Sequence, residues 1–408
     1  MAKALLTIFL LFFAFSSFVF PFCACTHGAA QAKGMFVFGS SLVDNGNNNF
    51  LRNSKARADF EPYGIDFPWG PSGRFSNGRN PIDVLGELLK LPSLIPPFAD
   101  PRTKGRRIIH GVNYASGGSG ILDQTGSATG EVMSLNSQIK SFEDITLPEL
   151  KFQLGFRRNS RHRHHELSNH HLSKYLFVIG TGGNDYLLNY FRRDLNNRTT
   201  LSDFTQSLVS TLSSQLKVNL RPIHYVRLNR PVRLNTGVLL VQKLYDLGAR
   251  KFVLFSVQVM GCVPVVRANV AAANGTCVEV MNEAAVLFNS HLRRLAGASR
   301  RRTQMPGSSV VYVNSYKIIR DIIENPTHSG FSETSKACCE LSAAMEDGKG
   351  ILCRRGGRAC DDRSSHVFFD GLHPTDAVNA RIAHKAYGSY VKAEAYPMNV
   401  QQLAKLSI

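Results

Sequence analysis

Four short apolar runs, each ended by a glycine, a polar residue or a turn, constrain the fold of this chain most strongly. They lie at residues 35–38, 175–179, 251–255 and 310–313. Continuous apolar runs of this length are typical of strands that are buried on both faces of a parallel sheet. Stretches with helical character lie between them, at residues 81–89, 202–216 and 280–295. This alternation predicts an α/β fold with a mostly parallel central sheet.

The N-terminal segment has the layout of a secretory signal peptide. Lys3 precedes an apolar run over residues 4–22, and small residues follow as far as Ala30. A basic start, an apolar stretch and a small-residue cleavage region define such a signal. We assign residues 1–30 to it, with cleavage between residues 25 and 30. A single membrane anchor is the competing interpretation, and no later segment is long and apolar enough to span a membrane.

The cysteines become interpretable once secretion is assumed. Cleavage near Ala30 leaves six of them, and an even number in an oxidising compartment indicates three disulfides of undetermined connectivity. These are Cys262, Cys277, Cys338, Cys339, Cys353 and Cys360. Zinc binding is the alternative, but the spacings do not fit short paired hooks. Sequons at Asn197 and Asn274 predict N-glycosylation, which also agrees with a secreted protein.

The formal net charge of +18 raises the question of a nucleic-acid partner. Much of the charge lies in two short stretches, residues 151–174 and 217–240, and neither interleaves aromatic with basic residues as a base-stacking surface does. We therefore expect no nucleic-acid binding. A loose attraction to acidic wall polysaccharide or anionic lipid fits a secreted basic protein better, and a solvated surface is the simplest interpretation.

Two segments fit the α/β pattern poorly. Residues 217–240 interrupt an otherwise continuous helix with prolines and arginines, and they are interpreted as an insertion on the surface. The same stretch resembles translated intron sequence. The second segment is a histidine-rich stretch. The spacing of its histidines is not His-Glu-x-x-His, so a solvated loop is favoured over a metal site. Its members are His162, His164, His165, His170 and His171.

Four clusters of chemically capable residues lie after the apolar runs or near the C-terminus. Ser41 follows the first run in a turn, where helix N–H groups can stabilise an oxyanion. Residues 111–121 form a glycine-rich loop without the Lys-Ser/Thr ending of a phosphate-binding loop. Asn184 follows the second run and can offer its amide to a developing negative charge. Asp370-x-x-His373 places a carboxylate within reach of an imidazole.

In order and spacing, these four clusters resemble the blocks of the GDSL esterase/lipase family, within the SGNH hydrolases, and most closely its large plant branch. The resemblance extends over nearly the whole mature chain and includes residues 73–79, 247–252 and 261–264. It implies a flavodoxin-like three-layer α/β/α fold. Residues 31–395 would form a single domain, with residues 396–408 as a C-terminal tail.

Carried onto this sequence, the resemblance implies Ser41 as nucleophile and His373 as base, oriented by Asp370. The oxyanion donors would be the Ser41 N–H, a glycine N–H and the Asn184 side chain. Gly118 is the preferred glycine, and two neighbours remain open, Gly117 and Gly120. The implied reaction is ester hydrolysis through an acyl-enzyme, without metal or organic cofactor.

The implied protein is a monomeric esterase or lipase of the apoplast or cell wall. Its substrate would be an acyl lipid, a cutin-type ester or an acetylated wall sugar. An acyltransferase with the same residues and a catalytically weakened wall- or lipid-binding protein are the alternatives. One departure touches the family's naming motif, because Ser40 stands where the family has aspartate. A single hydroxyl can replace only part of an aspartate's hydrogen bonding, so we expect weaker support for the nucleophile loop.

Overall fold

The computed structural model describes residues 30–156, 170–192, 199–214, 240–270, 276–298, 305–343 and 350–408. These ranges leave out residues 1–29 of the signal segment, residues 217–239 of the insertion and both sequon asparagines. They also leave out His162, His164 and His165.

Within these ranges, seven strands form two sheets. They are β1 (Gly34–Gly39), β2 (Tyr175–Gly180), β3 (Lys251–Phe255), β4 (Ser309–Val313), β5 (Glu333–Ala337), β6 (His366–Phe368) and β7 (Ala395–Tyr396). The central sheet has the order β1-β2-β3-β4-β7, in which the first four strands are parallel and β7 is antiparallel to β4. All four strands predicted from the apolar runs are confirmed.

Residues 112–114, in the first part of the glycine-rich loop, extend the central sheet beyond β1. The Val37 N–H donates to the carbonyl of Val112 at 3.0 Å, and the Tyr114 N–H donates to the carbonyl of Val37 at 2.7 Å. Because this pairing is parallel, the segment ends at the same sheet edge as β1. The rest of the glycine-rich loop therefore begins beside the turn that carries Ser41.

Helices flank this sheet and confirm the predicted three-layer α/β/α arrangement. They are α1 (Pro81–Leu88), α2 (Leu135–Ser141), α3 (Leu147–Gln153), α4 (Leu201–Ser214), α5 (Leu240–Asp246), α6 (Pro264–Asn269), α7 (Glu279–Ala298), α8 (Ser315–Glu324), α9 (Pro326–Ser329), α10 (Asp376–Gly388) and α11 (Val400–Lys405). A π-helical turn, Phe142–Thr146, joins α2 to α3. Within the described ranges, no helix has the length and apolar character needed to cross a bilayer.

The start of α1 shows how local sequence fixes a helix end. Asn80 accepts hydrogen bonds from the N–H groups of Ile82 and Asp83, and Pro81 occupies the first helical position, where no N–H is needed. The Asp83 carboxylate in turn accepts two bonds from the buried guanidinium of Arg74. A buried ion pair thus ties the helix start to the loop that precedes it.

The main core lies around the first two strands, in which every residue is buried. Phe36 packs against the rings of Phe142, Tyr175 and Phe177 at centroid distances of 4.9, 5.1 and 5.4 Å. Fully burying an aromatic or aliphatic side chain of this size stabilises the fold by about 1.5–3 kcal/mol. This packing holds the ends of β1 and β2 in fixed relative positions.

A second, smaller core lies beside the parallel pair β5–β6. Its buried residues include Tyr63, Phe75 and Phe369. Two disulfides, Cys338–Cys360 and Cys339–Cys353, cross it. A third, Cys262–Cys277, lies after β3. The three predicted disulfides are confirmed, and all six cysteines that zinc binding would require as thiolates are paired.

Residues 396–408, assigned above to a tail, are instead packed against the domain. Tyr396 pairs with Tyr312 of β4, and α11 follows. Val400, Leu403 and Ala404 are buried in the main core. Their spacing places them on one helix face, so this segment has an apolar surface that must be covered.

Candidate active site

The ends of β1, β2 and β3 and the loop after β6 line one cleft. Ser41 follows β1, Asn184 follows β2, and His373 follows β6, and all three contribute to the lining. Parallel strands bring their carboxyl ends to the same edge of a sheet, which is where α/β proteins bind ligands. The fold thus brings together residues that are more than 300 positions apart in the chain.

Ser41, His373 and Asp370 form a continuous chain of hydrogen bonds. The Nε2 atom of His373 lies 2.8 Å from Oγ of Ser41, and its Nδ1 atom lies 2.8 Å from Oδ2 of Asp370. All three residues are buried. A carboxylate beside Nδ1 favours the tautomer with the proton on that nitrogen, which leaves Nε2 to accept from the serine hydroxyl. The arrangement can therefore take a proton from Ser41.

Hydrogen bonds among residues 369–373 close the loop that carries His373. The Asp370 carboxylate accepts the N–H groups of Leu372 and His373 at 2.8 and 2.7 Å. The Phe369 N–H donates to the His373 carbonyl at 2.8 Å. Bonds of this kind are the local turn chemistry that aspartate favours. They hold the carboxylate and the imidazole in one rigid unit.

Tyr63 and Phe75 support this unit from the second core. The Tyr63 hydroxyl donates to Oδ2 of Asp370 at 2.7 Å, and the Phe75 ring lies 4.8 Å from the imidazole of His373. Burial and the charge of Asp370 raise the pKa of Tyr63 well above its ordinary value, so the hydroxyl keeps its proton. Phe75 lies in one of the motifs that carried the family resemblance, whereas no sequence signal pointed to Tyr63.

The turn that carries Ser41 is held through the peptide groups of Gly39. Oε1 of Gln138 accepts the Gly39 N–H at 2.8 Å, and Nε2 of Gln138 donates to the Gly39 carbonyl at 2.9 Å. Gly39 has φ +146°, and a Cβ there would lie 2.1 Å from the carbonyl oxygen of Gly180, so only glycine fits. In the described part of the chain, the Ser40 hydroxyl has no hydrogen-bond partner. The turn that carries Ser41 is therefore held by Gln138, which the sequence did not indicate.

Two buried carboxylates bind the glycine-rich loop on either side of Gly118. Asp44 accepts the Gly117 N–H through Oδ2 at 2.9 Å. Asp185 accepts the N–H groups of Ile121 and Leu122 at 2.8 and 3.0 Å. We call these residues the Asp44–Asp185 clamp. Both aspartates lie inside motifs that had been recognised, but the sequence did not indicate their contacts.

Burial sets the protonation behaviour of the clamp. Desolvation raises the pKa of Asp44 to about 6, although the N–H groups of Asn47, Gly46 and Gly117 oppose that shift. Desolvation likewise raises the pKa of Asp185 to about 6 against the bonds from Leu122 and Ile121. Both carboxyl groups therefore titrate in a range where ordinary aspartates are already ionised.

The predicted oxyanion donors differ in their position relative to the cleft and in their hydrogen-bond partners. Asn184 lines the cleft, and its Nδ2 atom donates to the Ser119 carbonyl at 2.8 Å. Gly118 has φ +83° and is not among the residues that line the cleft, and its N–H has no acceptor among the described residues. The Gly117 N–H is already bound to Asp44. A Cβ at Gly120 would lie 2.5 Å from the Asp185 carboxylate.

One group of side chains has spacing suited to a metal within the described ranges. It consists of Cys262, Cys277 and Glu279. The two cysteines are joined as a disulfide, so they offer no thiolate to a metal ion.

Comparison with known proteins identifies the family of this chain. The family model for GDSL-like lipases and acylhydrolases matches residues 35–386. The chain is 39% identical over 379 residues to GDSL esterase/lipase At5g08460 of Arabidopsis thaliana, covering 92% of this chain and 89% of that protein. It is 36% identical over 381 residues to GDSL esterase/lipase At1g29670 of Arabidopsis thaliana, covering 92% of this chain and 93% of that protein. The chain therefore belongs to the GDSL lipase/acylhydrolase family and is a carboxylic ester hydrolase.

Proposed function

We propose that the chain is a secreted serine esterase in which Ser41 is the nucleophile, His373 the general base and Asp370 the residue that orients His373. The observation that carries the proposal is the hydrogen-bond chain through these three side chains, with 2.8 Å between Ser41 Oγ and His373 Nε2. A serine hydroxyl is a weak nucleophile until a positioned base removes its proton. The geometry supports such a base directly.

In the first half of the reaction, Ser41 Oγ attacks the ester carbonyl carbon while Nε2 of His373 takes the hydroxyl proton. The tetrahedral intermediate collapses, and His373 returns that proton to the leaving alcohol. In the second half, a water molecule attacks the acyl-enzyme with His373 again as base. The acid is released and Ser41 regains its proton. Asp370 stabilises the imidazolium in both halves.

Three donors would stabilise the oxyanion. Ser41 begins a 3-10 turn, and the N–H of a first helical residue has no partner within its own helix. The Asn184 amide uses one N–H on the Ser119 carbonyl and keeps the other. The Gly118 N–H would be the third. It has no acceptor among the described residues and lies between the two contacts of the Asp44–Asp185 clamp, although Gly118 itself does not line the cleft. Removing one such donor typically lowers kcat by ~10²–10³.

The lining of the cleft supports an ester substrate, and the disulfides support secretion. Six apolar side chains line the cleft and suit the hydrocarbon part of an ester: Leu42, Leu187, Val257, Met260, Val263 and Leu372. Three disulfides are typical of a protein that folds in an oxidising compartment, which supports secretion to the extracellular space.

A direct test is the hydrolysis of p-nitrophenyl butyrate by the purified protein and by its Ser41→Ala variant. We expect kcat/KM to fall by roughly 10⁴-fold or more, since removing a triad nucleophile leaves only residual catalysis. Ser40→Ala is the matched control and should keep near-parental activity. Equal rates for the parent and Ser41→Ala would contradict the proposal.

A further inference from the structure

Asn48 is a buried asparagine of the loop that follows Ser41, and both ends of its side-chain amide are hydrogen-bonded. The amide nitrogen donates to the carbonyl oxygens of Ala56 and Gly117 at 2.8 and 2.9 Å. The amide oxygen accepts the hydroxyl of Ser116. An asparagine amide has two N–H donors, and both are used. The side chain therefore has a fixed orientation, with its nitrogen directed at the glycine-rich loop.

The Gly117 carbonyl belongs to the same peptide group as the Gly118 N–H. In a planar trans peptide, the C=O and N–H bonds point in opposite directions. By binding the carbonyl, Asn48 thus determines the direction in which the Gly118 N–H points. Gly118 is the one residue of the loop 111–121 that is not buried, and its N–H has no acceptor among the described residues.

Steric exclusion alone does not fix this peptide, because it has a glycine on each side. Turning the peptide plane over changes ψ of Gly117 and φ of Gly118, and glycine tolerates either sign of φ. Gly118 has φ +83°. The turned-over peptide would present the Gly117 carbonyl oxygen, an acceptor, where the N–H donor now lies. The hydrogen bond from Asn48 opposes that rotation, since it forms in only one of the two orientations.

The residue before Gly118 is held closely on several sides. Asp44 accepts the Gly117 N–H at 2.9 Å and Asn48 binds its carbonyl, so the loop that follows Ser41 binds both polar groups of Gly117. A Cβ on Gly117 would lie 2.5 Å from the ring of Phe75, which leaves no room for a side chain. The segment that carries the proposed nucleophile therefore also sets the geometry of the proposed oxyanion donor.

We propose that Asn48 is a positioning residue for ester hydrolysis, which orients the Gly117–Gly118 peptide so that the Gly118 N–H donates to the oxyanion. The inference rests on the proposed function and deepens it, because Gly118 is one of the three proposed oxyanion donors. A donor that is held in place before the reaction needs no reorganisation as negative charge develops. Asn48 itself does not line the cleft and acts only through this peptide.

The test compares Asn48→Leu with the matched control Asn47→Leu. Leucine has the branched shape of asparagine and cannot donate a hydrogen bond. Asn47 is also buried, and its amide nitrogen donates to the carbonyls of Asn113 and Ala115. Replacing it therefore also removes two donors from backbone carbonyls, but neither carbonyl belongs to the Gly117–Gly118 peptide.

Hydrolysis of p-nitrophenyl butyrate gives the first readout. We expect Asn48→Leu to lower kcat by about tenfold to a hundredfold with little change in KM, since complete loss of one oxyanion donor lowers kcat by ~10²–10³. Asn47→Leu should lower Tm by a similar amount and leave kcat near the parental value.

A tetrahedral analogue gives a second readout that a purely structural role would not move. Trifluoromethyl propyl ketone carries the propyl group of butyrate. Ser41 Oγ adds to its carbonyl carbon, the hydroxyl proton passes to His373, and the carbonyl oxygen becomes an oxyanion like that of the reaction. We expect the Ki of this ketone to rise in Asn48→Leu by the same factor by which kcat/KM falls, and to stay unchanged in Asn47→Leu.

Ser116→Ala is a milder variant that decides the question if Asn48→Leu does not fold. It removes the hydroxyl that donates to the amide oxygen of Asn48, so the amide is held less firmly while its two donors remain. We expect a smaller fall in kcat than in Asn48→Leu, matched by the rise in Ki, with KM unchanged.

The outcomes separate this inference from the esterase proposal. Equal falls in kcat for Asn48→Leu and Asn47→Leu, a change confined to KM, or an unchanged Ki would contradict the role of Asn48 and leave the esterase proposal standing. If Asn48→Leu is unfolded, an unchanged kcat in Ser116→Ala would contradict that role. If Ser41→Ala hydrolyses esters as fast as the parent, both proposals fail.

Discussion

The Tyr63 hydroxyl donates a 2.7 Å hydrogen bond to Oδ2 of Asp370, the same oxygen that lies 2.8 Å from Nδ1 of His373. The Cys353 N–H donates to the Tyr63 oxygen at 3.1 Å. One hydroxyl therefore connects the disulfide-bonded second core to the loop that carries the proposed base. This contact makes the second core part of the site rather than a separate structural unit.

Tyr63→Phe should lower both stability and turnover. It leaves the Cys353 N–H without its acceptor, and Asp370 loses a donor, so we expect a loss of about 1–3 kcal/mol in unfolding free energy. We expect kcat to fall several-fold because the carboxylate is less firmly held. Urea unfolding and ester hydrolysis measure the two effects.

Tyr175→Phe is the control for this prediction. The Tyr175 hydroxyl donates to the carbonyl of Ile109 outside the cleft, so its loss should reduce stability but not kcat. Equal effects of the two variants on kcat would contradict this role for Tyr63.

Asp185→Asn should disturb the oxyanion donors more than substrate binding. The carboxylate accepts bonds at both oxygens, and an amide would turn one acceptor into a donor that faces an N–H group. We expect kcat to fall by roughly tenfold to a hundredfold with a smaller change in KM, because the Gly118 loop is no longer held. Asp321→Asn on the exposed face of α8 is the charge-matched control. A change confined to KM would be evidence against the clamp.

The clamp also predicts how stability depends on pH. The pKa of Asp44 is about 6 in the folded protein, against an ordinary value of 3.8, so the folded protein holds this proton more tightly than the unfolded chain does. Its contribution is present below pH 3.8 and is lost as pH rises through about 6, a change of roughly 3 kcal/mol. We therefore expect the unfolding free energy of the parent, relative to Asp44→Asn, to decrease from about pH 4 to about pH 7. Parallel curves for the two proteins would contradict the raised pKa.

Gln138→Leu should be far more damaging than Ser40→Ala. The leucine leaves the N–H of Gly39 unpaired in the core, which costs about 1–3 kcal/mol for an unsatisfied group. The Gly39 carbonyl keeps its bonds from the Ser116 N–H and the Ser119 hydroxyl. The Ser40 hydroxyl has no partner in the described part of the chain, so its removal should change stability by less than about 0.5 kcal/mol. Thermal unfolding of both variants tests the comparison. A larger effect of Ser40→Ala would show that the nucleophile turn depends on the residue that replaces the family aspartate.

The fold was predictable because its signals are local. Each of the four parallel central strands is a continuous apolar run, and Asn80 and Pro81 mark the start of α1. The C-terminal segment was misjudged as a tail because α11 is short, and only its packing shows that Val400 and Leu403 belong to the core.

Within the proposed site, the residues that the sequence predicts are those whose chemistry stands out in their motif, such as Ser41 and His373. The supporting residues escaped because their roles depend on distant contacts. Gln138 reaches Gly39 across 99 positions, and Tyr63 reaches Asp370 across 307. Nothing in a single sequence pairs such residues, since their meeting depends on how α2 and the second core pack.

Covalent labelling of the serine nucleophile tests the central claim most directly. The protein is treated with diethyl p-nitrophenyl phosphate, which transfers a diethylphosphoryl group to an activated serine and releases p-nitrophenol. The labelled residue is then located by peptide mass mapping. We predict one adduct per chain, on Ser41, which is retained in Ser40→Ala and absent from Ser41→Ala. An adduct on Ser40, or equal labelling of the Ser41→Ala protein, would contradict the account.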